Sequence, residues 1–208
     1  KKTLIDKALM KAAENNQLNV LYYLINNGAD VNVINKSGDT ALMYASSKGF
    51  YKIVELLLNK GASIDQKNKY GNTALMKAAQ NGNIKVVKLL LERKADINVI
   101  NNNRETTFWI AVKNGQKEIV ELLLNYGKDN TYKNKKVNVN QKDDLGMTAL
   151  IIASEKGYLD IVKLLLDNGA IVDDSDIKVK NVIHYSTNKQ IKEMLLKALE
   201  KQKNKDRT

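Results

Sequence analysis

Few residues in this chain have the types and spacing that catalysis needs. His184 is the single histidine, and Ser186 stands two positions on. A nucleophilic triad requires three groups that converge in space, which this adjacency does not supply. His184 therefore reads as structural. One histidine and no cysteine leave no His-rich or thiolate zinc site. Asp143-Asp144 and Asp173-Asp174 do not match a calcium-loop spacing; they read as turn formers. Neither a dinucleotide nor a Walker glycine pattern is present. Asn35-Lys-Ser37 is a glycosylation sequon that matters only in a glycosylating cell. No catalytic residue, metal ligand or cofactor is assigned, and the chain reads as a non-enzyme.

What remains is recognition chemistry. The chain carries 34 basic and 23 acidic residues, a net charge of +11. Such a balance can signal nucleic acid or an anionic surface. Asn, Lys and Ile are all abundant, so AT-rich coding is a competing source of the lysine. Arg is scarce beside Lys, and base-edge and phosphate recognition favour the forked guanidinium. Binding of nucleic acid or an anionic surface through a lysine-rich surface and loop is thus the second reading, not the first. No run of eighteen apolar residues exists, which excludes a membrane-spanning helix. The chain begins at Lys1 and shows no signal peptide. A soluble monomer is expected, either cytoplasmic or exported after signal removal.

The positioning elements come from a repeat. Gly38-Asp-Thr40-Ala-Leu-Met43 recurs as Gly71-Asn-Thr73-Ala-Leu-Met76, 33 residues later (73 − 40). Arg104-Glu-Thr106-Thr-Phe-Trp109 is a degenerate copy after another 33 (106 − 73), and Gly146-Met-Thr148-Ala-Leu-Ile151 follows after 42 (148 − 106). The second halves repeat as Ile53–Leu58, Val86–Leu91, Ile119–Leu124 and Ile161–Leu166, with a weaker copy at Val20–Ile25.

One unit explains itself physically. Thr40 precedes an apolar stretch and can cap a helix with its hydroxyl. Ala41, Leu42 and Ala45 form one face of a short helix. Gly49, Gly82, Gly115 and Gly157 end such helices, and Asn16 does so in the first unit. Ile53, Val54, Leu56, Leu57 and Leu58 make a stripe wide enough to need neighbours on both sides. Gly61 caps that second helix. Asn27-Gly28, Asn81-Gly82, Asn114-Gly115 and Asn168-Gly169 each follow a helical period, so they read as helix ends rather than hairpin turns. Stability is then a sum over units and their interfaces, and the terminal units are expected to present polar outer faces.

The period, Gly-x-Thr-x-Leu, Ile-Val-x-Leu-Leu-Leu and Gly-Ala-Asp-Val-Asn32 resemble the ankyrin repeat over nearly the whole chain. The resemblance implies an all-α solenoid of about six helix–turn–helix repeats with projecting hairpin loops, and a protein–protein binding role. A single domain spans 1–208, with repeats near 2–34, 35–67, 68–100, 101–142, 143–175 and a degenerate cap at 176–205. The sequence departs from the family at its Thr-Pro-Leu-His motif, which reads Thr-Ala-Leu-Met, Thr-Thr-Phe-Trp or Thr-Ala-Leu-Ile. Without the histidine the family's polar network between loops is in doubt. Met43, Met76, Trp109 and Ile151 should instead form an apolar row.

The resemblance also implies where a partner would bind: the loop tips before each Thr and the exposed side of each first helix, on the concave face. In this sequence those positions are Lys36, Asp39 and Tyr44, then Lys69, Tyr70, Asn72 and Lys77. Asn102, Glu105, Ile110 and Lys113 follow, then Leu145, Met147 and Ile152. Aromatic and aliphatic anchors ringed by polar groups suit an interface. Two irregularities stand out. Arg104 replaces the loop glycine, and a locally altered loop is expected there. A nine-residue excess near 128–136 carries Lys128, Tyr132, Lys135 and Lys136, and is expected to extend one loop towards an acidic partner.

Overall fold

Threonine hydroxyls start four of the first helices, and Asp176 starts a fifth. The computed structural model describes residues 2–126 and 136–205, which form twelve α-helices and no strand. The helices come in six pairs: α1 (Lys2–Glu14) with α2 (Leu18–Asn26), α3 (Ala41–Lys48) with α4 (Tyr51–Asn59), and α5 (Ala74–Gln80) with α6 (Ile84–Glu92). The others are α7 (Thr107–Lys113) with α8 (Lys117–Asn125), α9 (Ala149–Glu155) with α10 (Leu159–Asp167), and α11 (Ile177–Tyr185) with α12 (Lys189–Lys205). Thr40, Thr73 and Thr148 accept from the backbone N–H three residues on, at 3.2, 3.4 and 3.3 Å, satisfying one orphan donor in α3, α5 and α9. Thr106 does the same for Trp109 at 3.3 Å.

The first helices of the first five pairs stop by one device. A residue with positive φ follows each: Asn16, Gly49, Gly82, Gly115 or Gly157, with φ between 55° and 74°. The chain then folds back so that the next N–H reaches a carbonyl one turn inside, as in Phe50 N–H to Ala45 O and Asn83 N–H to Ala78 O. This six-to-one bond marks a Schellman end. The second helices close the same way at Gly28, Gly61, Lys94 and Gly169. The Asn-Gly steps are therefore helix ends, as their period implies.

The chain divides into two compact units, Lys1–Ile110 and Ala111–Thr208. Within the first, α1, α3 and α5 pack in one row and α2, α4 and α6 in a second row, with the members of each pair in contact. Ala41, Leu42, Ala45, Ile53, Val54 and Leu57 are all buried between neighbours. Within the second, α8 and α12 flank α10, which also packs on α9, and α11 packs on both α9 and α12. Met43, Met76 and Trp109 in the first unit and Ile151 in the second are each interior, none more than 3% exposed. Trp109 is thus a core side chain.

The loops between pairs close at isolated bridges, Ile34–Thr40 and Lys142–Thr148, and side-chain oxygens take up amides between them. Two expectations need correction. The first pair does not present a wholly polar outer face: Leu18, Val20, Tyr22 and Tyr23 are exposed on α2. Val20 stands at the register of Ile53 and Val86, which are buried in α4 and α6. The Arg104 loop is not altered. Arg104 takes φ 60°, and Arg104 N–H bonds Asn101 O at 3.0 Å, the same closure that Gly71 makes on Asn68. Among the described residues no helix is long and apolar enough to cross a membrane.

Candidate partner-binding surface

The loop tips are built on an asparagine that recurs with the repeat. Asn35 Oδ1 accepts from Ser37 and Asp39 N–H, both at 2.9 Å. Asn68 Oδ1 accepts from Tyr70 at 3.0 Å and Asn72 at 2.9 Å; Asn101 Oδ1 accepts from Asn103 at 3.0 Å and Glu105 at 2.9 Å. Asp143 does the same for Leu145 at 3.0 Å and Met147 at 2.7 Å. One short acceptor thereby fixes the turn in each loop.

In the first unit the Nδ2 groups of two of these amides, Asn68 and Asn101, tie their loop to the previous one. Asn68 Nδ2 donates to Asp39 Oδ1 at 2.7 Å, and Asn101 Nδ2 to Asn72 Oδ1 at 3.0 Å. Backbone bonds run alongside: Lys69 N–H to Ser37 O at 3.1 Å, and Asn102 N–H to Tyr70 O at 3.0 Å. The contact is close enough that a Cβ on Gly71 would lie 2.8 Å from Asn102 N and 2.9 Å from Asn101 Cα. A polar network between loops thus exists here without histidine, carried by Asn and Asp. The role of Asn35, Asn68 and Asn101 was missed at the level of the sequence. The signal was present: Asn35, Asn68 and Asn101 recur at the repeat's own spacing.

On this frame the candidate side chains separate into groups. Asp39, Tyr44 and Lys77 come together in a shallow depression of about 250 Å³, completed by Met43, Ser47 and Lys48. All three are half-buried, and Lys77 Nζ stands 3.8 Å from Asp39 Oδ1. Lys36, Lys69 and Tyr70 project from the tips, Tyr70 at 61% exposure. Asn102 is exposed and donates to Lys69 O at 2.9 Å, and Asn72 is half-buried as the acceptor for Asn101. In the second unit Leu145 is 71% exposed, Met147 and Ile152 are half-buried, and Lys113 and Lys136 are exposed.

Two candidates do not stand on this surface. Glu105 is 6% exposed, and its Oε2 accepts from Asn101 Nδ2 at 2.8 Å. Ile110 is 6% exposed. Its register is shared by Tyr44, Lys77 and Ile152, all half-buried. Lys128, Tyr132 and Lys135 lie outside the described residues. His184 is exposed on α11, edge-on to Tyr185 with ring centroids 4.7 Å apart, and Ser186 Oγ bonds the Asn188 backbone instead of the imidazole.

Two carboxylates ahead of α11 are lowered by the hydrogen bonds of their turns. Asp176, which caps α11, has its carboxyl held below the ordinary value of 3.8, first by the Lys178 N–H and then by Lys142. Asp173 is lowered by bonds from Ser175. These are capping and turn functions.

A family model for ankyrin repeats, in three copies, matches residues 4–68, 62–134, 95–180 and 131–207. No curated protein matches the chain.

Proposed function

The chain belongs to the ankyrin repeat family, and on that footing we propose that it is a non-catalytic module that takes a protein partner on its loop tips and the exposed sides of its first helices. Ankyrin repeats are in general protein–protein interaction modules. The proposal treats residues 1–208 as one repeat domain of six helix pairs. Its candidate contacts in the first unit are Lys36, Asp39, Tyr44, Lys69, Tyr70, Asn72, Lys77 and Asn102. In the second unit they are Lys113, Lys136, Leu145, Met147 and Ile152.

The observation that carries the reading is the depression around Tyr44, with Asp39 and Lys77 on its wall and Tyr70 on one of the tips beside it. Tyrosine supplies a large contact area at small entropic cost, and a half-buried ion pair beside it gives a partner something to read. The loops that hold these groups are bonded to each other, so the surface is ordered before a partner arrives. Preorganisation of that kind lowers the cost of binding.

The test is affinity capture from the source cell with the wild-type chain and with Tyr44→Glu and Tyr70→Glu variants of unchanged helicity. Loss of the same captured protein in both variants supports the reading. Its retention at wild-type levels overturns it.

A further inference from the structure

The three loop segments of the first unit, 34–39, 67–72 and 100–105, carry four cations and two acids: Lys36, Lys67, Lys69 and Arg104 against Asp39 and Glu105. All four cations are exposed. Both acids are engaged within the protein. Asp39 Oδ1 accepts from Asn68 Nδ2 at 2.7 Å and faces Lys77, and Glu105 is buried on Asn101. The exposed charged groups of this edge are therefore all cations.

Apolar groups stand among those cations. Ile34 is 53% exposed, Ile100 41% and Tyr70 61%. Ile34, Lys67 and Ile100 occupy one register of successive loops, 33 residues apart (67 − 34 and 100 − 67), and Lys36 and Lys69 occupy another. Lys67 reaches across to Ile100 O at 2.9 Å, so the registers are aligned in space as well as in sequence. Cationic and apolar side chains thus stand side by side along a backbone that is hydrogen-bonded from loop to loop, alternating in the register of Ile34, Lys67 and Ile100.

We propose that this edge docks an acidic peptide segment that also carries apolar side chains. Its carboxylates would meet Lys36, Lys67 and Lys69, and its apolar groups would cover Ile34, Tyr70 and Ile100. The proposal deepens the protein-binding reading and rests on it. A nucleic acid fits less well. Its phosphates would match the lysines, but two of the three apolar groups are aliphatic and offer no face for base stacking. Covering Ile34 and Ile100 rewards an apolar side chain, which a peptide supplies and a sugar–phosphate backbone does not.

The experiment is fluorescence anisotropy on the full chain with three labelled probes: a peptide of Asp, Glu, Leu and Phe, the same peptide with Lys for each acid, and a single-stranded DNA of equal length. The acidic peptide is expected to bind saturably, with the other two weaker. Lys36→Glu with Lys69→Glu should weaken it about tenfold or more. Lys36→Met with Lys69→Met should weaken it less, and serves if charge reversal perturbs folding. Tyr70→Ala should weaken it several-fold. Lys85→Glu with Lys88→Glu, on exposed positions of α6, should leave it unchanged.

Equal loss from the α6 pair overturns the proposal, because the attraction would then be general charge. Tighter binding of the DNA overturns it in favour of a nucleic-acid partner. No binding of the acidic peptide overturns it outright. If a captured partner still depends on Tyr44 and Tyr70 in that last case, the protein-binding reading stands and only the acidic partner falls.

Discussion

Arg104 and Gly71 occupy the same place in successive loops, with φ 60° and 77°. A left-handed conformation costs a non-glycine residue about 1–2 kcal/mol. Glycine returns about 0.4–1 kcal/mol of that through the freedom of the unfolded chain. The strain is the larger effect, so Arg104→Gly should stabilise the protein by about 0.5–1 kcal/mol in urea unfolding at unchanged m. The reverse change differs in kind. In Gly71→Ala the added Cβ adopts the strained φ and also meets Asn101 and Asn102 backbone, so a loss of about 2 kcal/mol or more is expected. A destabilised Arg104→Gly would show that the side chain's own contacts outweigh the strain. Ser46 is a second case. It is fully buried, its hydroxyl has no hydrogen-bond partner among the described residues, and Ala79 stands at the same register. Ser46→Ala should gain about 1 kcal/mol. These residues also mark where sequence reading stopped. Thr caps and glycine ends are local signals and were legible. The burial of Glu105 and Ile110 depends on what a side chain meets in three dimensions, which register alone does not give.

Helices end and begin here by rules that repeat from pair to pair. That is why the helix pairs could be placed from spacing alone, and why the loops could not. The loss of the family's histidine argued against a network between loops. In the first unit Asn68 and Asn101 restore one, because an amide both accepts within its own turn and donates to the previous loop. In the second unit Asp143 keeps only the accepting half, since a carboxylate has no N–H to give. Asp176 belongs to this scale too. Its carboxyl is lowered by capping α11 and by Lys142, so its contribution is fully present above the ordinary carboxyl value of 3.8. It is lost as pH falls through the lowered folded value. Asp176→Asn keeps an acceptor for the cap but removes the charge. Unfolding at pH 5 and at pH 3 should therefore show a shallower acid loss in the variant, and an unchanged loss would remove Asp176 from the acid response.

At the scale of the whole molecule, the chain is an ankyrin repeat scaffold, and the proposed reading puts its selectivity in a few projecting groups. The scaffold was legible in the sequence because it is written several times. Tyr70 and Leu145 are exposed, as the sequence led one to expect, but the loop ladder that holds the tips of the first unit was not legible in it. The most direct measurement replaces Tyr70, Tyr44 or Lys85 singly with a photo-crosslinking phenylalanine derivative and irradiates each chain in extract from the source cell. Adducts to one common protein from positions 70 and 44, with none from position 85 on α6, are the predicted result. Adducts from position 85 alone, or equally from all three, would contradict the account.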